Sequence, residues 1–192
     1  MELISEAQLP TKSGNFTIKV FKNPISLVEH FVLQNSEMEA VTPMVRIHSE
    51  CATGDIFGSL RCDCQDQLHQ ALTLIAENKN GAVIYLKNQE GRGIGISNKI
   101  KAYHLQEQGL NTYEANEALG LPADARNYDD ATAILKVLGY TSITLITNNP
   151  LKEAAVKAAG ITFTTHHVST AANVHNQAYL DAKIKIGNHH IK

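Results

Sequence analysis

Apolar and polar residues alternate over residues 16–21, FTIKVF, as in a strand with one buried face, and Lys12-Ser13-Gly14-Asn15 supplies a turn before it. Residues 25–47 hold no single period, although VTPMVRIH, residues 41–48, ends in a strand-like run. At Gln67 the period lengthens. Leu68, Ala71, Leu72, Ile75 and Ala76 share one helical face, and the helix is expected to stop near Asn80-Gly81. AVIYL, residues 82–86, predicts a short buried strand followed by the loop KNQEGRGIG. Residues 96–108 predict a helix ended by Gly109, and 129–138 a second ended by Gly139. ITLIT, residues 143–147, predicts another strand, and Asn149-Pro150 forms an N-cap and first-turn pair for a helix over 151–159 closed by Gly160. Strands alternating with helices predict an α/β fold with a mixed, partly parallel sheet and helices packed on it. No repeat, low-complexity tract or linker interrupts the pattern, so residues 1–192 are expected to form a single domain.

Composition narrows this picture mainly by exclusion. A chain of 192 residues, 43% of them hydrophobic, is long enough for one ordinary core. Lys and Arg number 17 against 19 Asp and Glu, a net charge of −2, which argues against a nucleic-acid partner. No apolar run approaches the roughly 18 residues of a membrane span. MELISEAQLP lacks the basic and then apolar order of a secretory signal, so a cytoplasmic location with reduced thiols is expected.

All three cysteines, Cys51, Cys62 and Cys64, fall within residues 49–68 at the spacing C-x10-C-x-C. The odd count argues against a disulfide framework. Two thiolates one residue apart in a turn suit one metal ion, and zinc accepts thiolates without needing redox chemistry. Three readings stand side by side. Three ligands leave a position for water, as in catalytic zinc sites. A closed structural site would recruit His48 or His69 as fourth ligand. Alternatively, the cysteines are small buried core residues. His48-Ser49-Glu50 has the H-x-E spacing of zinc nucleobase deaminases, but their P-C-x-x-C partner is absent.

Other stretches suit anions. QEGRGIG, residues 89–95, follows a strand and precedes a helix; its glycines permit close backbone approach and Arg92 offers a bidentate fork. It is neither a dinucleotide fingerprint nor a P-loop, so a plain Gly-rich turn explains it equally. In TNNPLK, residues 147–152, Lys152 occupies a first helical turn, where it opposes the macrodipole unless an anion binds there. An exposed lysine would otherwise simply be solvated. Residues 113–128 bring Asp124 and Arg126 close together, which on its own reads as a surface ion pair of little worth.

Taken in order, these segments resemble GTP cyclohydrolase II. The resemblance runs from about Val41 to the C-terminus and rests on RIHSEC-x-TGD, SLRCDC-x-x-QL, EGRGIG, NKIKAY-x-LQ-x-QG, T-x-EAN, the D-x-R pair, TNNP and the closing YLDAKIKIGNH. It implies a catalytic zinc held by Cys51, Cys62 and Cys64, hydrolytic opening of the guanine imidazole ring at C8 with release of formate, and loss of pyrophosphate with the help of magnesium. It further implies Arg126 as acceptor of the nucleotidyl group, Asp124 as its proton acceptor and Tyr103 near the reacting ring. The family's GTP-binding positions correspond to Arg46, Ile47, His48, Ser49 and Glu50, to Gln67, to Glu90, Gly91 and Arg92, and to Thr112, Thr147 and Lys152. A homodimer is also implied. Arg46, Arg92, Arg126 and Lys152 would offset a triphosphate despite the net negative charge. Glu50 suits guanine's N1–H and amine, and Gln67 its amide edge.

Departures are few: Gln65 stands where the family commonly has glycine, and Leu151 replaces the first of a frequent lysine pair. Residues 1–40 match loosely and are too few for a butanone-phosphate synthase domain, so a monofunctional enzyme is expected. Two other readings compete. One is a zinc hydrolase of purine nucleotides that stops at the formamide or deaminates. The other is a zinc-stapled binding module, which would need a fourth ligand and a basic or aromatic face, against an aromatic content of 6%.

Overall fold

Strands β1 (Glu2–Thr11), β2 (Gly14–Lys22), β3 (Glu29–Ser36), β4 (Met44–Ser49), β5 (Asn80–Leu86), β6 (Ser142–Ile146) and β7 (Thr162–His166) form one sheet in the order β1-β2-β3-β5-β4-β6-β7. The computed structural model describes residues 1–122, 124–169, 172–177, 180, 181 and 184, and leaves the side chains of Thr112 and Tyr113 outside that description. β1, β2, β3 and β5 pair antiparallel, whereas β5, β4, β6 and β7 run parallel. The sheet is therefore mixed and partly parallel, as the alternation of strands and helices predicts.

The helices are α1 (Ala52–Asp55), α2 (Cys64–Asn78), α3 (Glu90–Gly93), α4 (Ile96–Glu107), α5 (Thr112–Ala118), α6 (Asp129–Val137) and α7 (Pro150–Ala158). Period-two alternation divides the sheet's side chains between two cores. Val45, Ile47, Ile84 and Leu145 pack on one face with Ile134 and Leu135 of α6 and Val156 of α7. Phe16, Val83 and Ile146 pack on the other with Ala71 and Ile75 of α2. The structure thus covers both faces of the sheet.

Sequence periodicity misses β1, β3 and β7, and each omission has a cause. β1 is an edge strand exposed along most of its length, so no buried face imposes alternation. β3 buries polar His30 and Asn35, which hydrogen-bond partners satisfy. β7 carries threonines on exposed and half-buried positions, with Phe163 as its one large apolar side chain. α2 begins at Cys64, three residues before the apolar period becomes visible, and ends at Lys79 in the left-handed region (φ 58°).

The connection from β4 to β5 carries α2 on one face of the sheet, and the connection from β5 to β6, which passes β4, carries α6 on the other. Such a switch point opens a crevice at the carboxyl ends of the parallel strands, where α/β sheets bind ligands.

Candidate functional site

Three parallel strands deliver the site residues at their C-terminal ends. β4 passes into Glu50 and Cys51, β5 into the segment 87–95, and β6 into Thr147–Lys152. Because β4 buries Val45 and Ile47 in one core, Arg46 and His48 face the opposite side, toward the N-terminus of α2.

The three cysteines converge there. Their sulfurs lie within 4.8 Å of one another, and Cys51 Sγ is 3.8 Å from Cys62 Sγ. Zinc–sulfur bonds of about 2.3 Å in tetrahedral geometry require sulfur separations of about 3.8 Å, so the donor set and its spacing fit a metal ion. Hydrogen bonds from Cys62 and Cys64, with the Lys99 ammonium nearby, push the Cys51 thiol far down. Sharing protons with Cys51 pushes Cys62 up to about 11 and raises Cys64 as well. Asp55 fixes the turn: its Oδ2 accepts the Cys51 N–H at 3.0 Å and the Tyr85 hydroxyl at 2.7 Å, and both oxygens lie 3.1 Å from His48 Nε2. His48 is thus engaged by Asp55, and His69 lies in a separate groove beside His166 and His167. Among the described residues, no other His, Cys, Asp or Glu joins the three cysteines.

The cluster opens into a cleft of two lobes that share Ser49, Cys64, Arg92 and Arg126 in their walls. The first, of about 680 Å³, holds the cysteines with Glu50, Glu90, Gly91, Lys99 and Tyr103. The second, of about 530 Å³, is lined by Arg46, His48, Gln67, Thr147 and Lys152. Four cationic residues therefore surround the second lobe. Arg46 is 5% exposed; burial lowers its pKa, and Asp63 acts against that shift. Its Nη2 donates to Gln67 Oε1 at 2.5 Å, and Gln67 Nε2 donates to Asp63 Oδ2 at 2.6 Å, which ties the second lobe to the residue between two cysteines. Lys152 is buried rather than solvated and donates to the Ile47 carbonyl at 2.7 Å.

Asp124 and Arg126 form more than a surface pair. Their side chains are 23% and 13% exposed, and Asp124 accepts from Arg126 Nε at 2.9 Å and Nη2 at 2.5 Å. Burial would raise the Asp124 pKa, but the guanidinium outweighs it and holds the carboxyl below its ordinary range. The loop carrying this pair is held by the glycine-rich turn: Arg92 O accepts the Ala125 N–H at 2.9 Å, and Gly91, Arg92 and Gly93 all take positive φ. Tyr103 Oη lies 3.3 Å from Thr53 Oγ1, and burial raises its pKa. Glu50 pairs with Lys87 and accepts the Asn88 N–H.

Not every expected residue faces the cleft. The Ile47 side chain lies in the core and only its carbonyl meets a site residue; Asp124 reaches the cleft through Arg126. The side chain of Thr112 lies outside the described residues, as do most of the closing YLDAKIKIGNH and His189-His190. Sequence reasoning misses Asp55, Asp63, Gln89 and Lys99. Lys99 had one available signal, its position one helical turn before Tyr103.

The GTP cyclohydrolase II family model matches residues 2–168. The riboflavin biosynthesis protein RibBA of Salinispora tropica is 44% identical over 186 residues, covering 95% of this chain and 46% of that protein. The GTP cyclohydrolase-2 of Helicobacter hepaticus is 45% identical over 185 residues, covering 95% of this chain and 94% of the relative. That of Acinetobacter baumannii is 46% identical over 186 residues, with 95% and 92% covered. The chain spans about half the length of the RibBA relatives it matches and nearly all of the other two.

Proposed function

The chain belongs to the GTP cyclohydrolase II family, and from that premise we propose that it is a zinc-dependent GTP cyclohydrolase II. It converts GTP to 2,5-diamino-6-(5-phosphoribosylamino)pyrimidin-4(3H)-one, formate and pyrophosphate, the first committed step of riboflavin biosynthesis. The observation that carries this reading is one cleft that joins a three-sulfur metal site to a lobe walled by Arg46, Arg92, Arg126 and Lys152. A purine nucleoside triphosphate needs both ends.

When bound at Cys51, Cys62 and Cys64, zinc supplies Lewis acidity for hydrolysis of the purine ring. The chain's own residues do the rest. Arg46, Arg92 and Lys152 bind the triphosphate together with magnesium. Arg126 takes the nucleotidyl group as pyrophosphate leaves, and Asp124, held ionised, orients the guanidinium and accepts its proton. A guanidinium is ordinarily protonated at neutral pH, so its proton passes to Asp124 only as the nitrogen bonds to phosphorus. Water then cleaves the nitrogen–phosphorus bond to release the 5-phosphate and restore Arg126. Tyr103 stands beside the reacting ring in the metal-bearing lobe. Glu50 and Gln67 read the guanine edge, and Ser49, Thr112 and Thr147 complete the substrate contacts. The enzyme is a cytoplasmic homodimer built from a single domain.

The test incubates purified protein with GTP and magnesium, zinc-loaded and zinc-stripped, and measures all three products. Formate, pyrophosphate and the diaminopyrimidine are expected together from the loaded protein. Stripping should abolish formate and the diaminopyrimidine. Absence of all three from loaded protein overturns the reading, while a formamide product without formate would favour the arrested hydrolase.

A further inference from the structure

Lys99 lies deep in the first lobe, its side chain 9% exposed. Its ammonium has three donors and three acceptors within reach: Glu90 Oε1 at 2.5 Å, Thr53 Oγ1 at 2.8 Å and Cys51 Sγ at 3.1 Å. Glu90 is equally occupied. Its Oε1 also accepts the Gly91 N–H at 3.2 Å, and its Oε2 accepts the Ala52 N–H, in the first residue after Cys51, at 2.5 Å. Glu90 therefore links Lys99 to the backbone on either side of the site.

A buried ion pair is a weak device for stability, because desolvation offsets most of the attraction. Aiming the cation at a sulfur adds nothing if that sulfur belongs to a neutral thiol. The arrangement makes sense around an anionic centre. Three thiolates on a divalent ion leave one net negative charge in a partly desolvated lobe, and an ammonium hydrogen-bonded to one thiolate offsets it. We propose that Lys99 is the counter-cation of the cysteine metal centre, and that Glu90 holds Lys99 and the Cys51 turn. This rests on the reading of Cys51, Cys62 and Cys64 as zinc ligands. Lys99 acts through Cys51 and is a positioning residue.

Two variants test it: Lys99→Met, and Lys99→Met with Glu90→Gln, which leaves no carboxylate stranded. Zinc affinity is measured by competition with a chromophoric chelator, the thiolate-to-cobalt charge-transfer band on cobalt-loaded protein, and folding by the melting of metal-free samples. Zinc affinity is expected to fall about 10- to 100-fold in both variants. The cobalt band is expected at lower energy, since removing the ammonium raises the sulfur electrons. Metal-free melting of the double variant should stay near wild type. A folded double variant with wild-type zinc affinity and an unmoved band overturns the inference alone. Wild-type protein that binds no zinc overturns the metal reading, and this inference with it.

Discussion

A Cβ on Gly54 would lie 2.8 Å from Cys62 Sγ, 3.0 Å from Cys64 Cβ and 3.2 Å from Cys51 Sγ. Alanine would normally favour a helical position by about 1 kcal/mol over glycine, so intrinsic propensity points one way and the cluster the other. The contact is with sulfurs that cannot retreat without losing their mutual spacing. Gly54→Ala is therefore expected to fold and yet to bind zinc at least about 10-fold more weakly, as read by chelator competition. An unchanged affinity would mean that the turn relaxes freely. The cysteine spacing was visible in the chain, but the need for a bare Cα beside it was not, since residues 51–64 show contacts only once the turn closes.

The helix that carries Lys152 shows how far local rules reach. Asn149 was readable as its N-cap, and Asn149 Oδ1 accepts the Leu151 N–H at 2.9 Å. Asn149→Ala should lower unfolding free energy by about 1 kcal/mol in urea titrations, and Asn149→Asp should restore most of it. β5 depends instead on a neighbour. Gly81 has φ +146°, and a Cβ there would lie 1.9 Å from the carbonyl oxygen of Met44 in β4. Gly81→Ala is expected to yield mostly insoluble protein on expression; soluble, native-like material by circular dichroism would contradict the close strand approach. Sequence periodicity placed Gly81 at a helix end and went no further, because its constraint comes from a strand that pairs with it in space.

At the scale of the molecule, burying charged groups behind the cleft makes stability depend on pH. Burial lowers the His48 pKa from its ordinary 6.5 against the opposing Asp55, and Arg46 and Lys152 lower it further. The unfolded chain then takes up a proton before the folded one does. Stability is full above about pH 6.5 and declines below it, by up to about 1.4 kcal/mol per pH unit for one group. The Asp124 carboxyl, shifted below its ordinary 3.8, contributes with the same sign in a lower window: its stabilisation is intact above about pH 4 and lost as pH falls further. Urea titrations of metal-free protein from pH 8 to pH 4 should show the first decline starting near 6.5, and His48→Gln should flatten it. An unchanged slope in that variant would assign the proton elsewhere.

By itself the sequence determined the local features: the helical and strand periods of the buried elements, the N-cap at Asn149, the cysteine spacing and the order of motifs that marks the family. Each depends on residues a few positions apart, whose geometry the backbone dictates. Tertiary structure alone decided which groups meet. It placed Lys99 against Cys51 across 48 positions of chain, Arg46 against the Ile146 carbonyl across 100, and Lys152 against the Ile47 carbonyl across 105. It also turned an ion pair that reads as superficial into part of the cleft wall. Those contacts follow from strand order in the sheet, which is set by how two cores close around it rather than by any local stretch of residues.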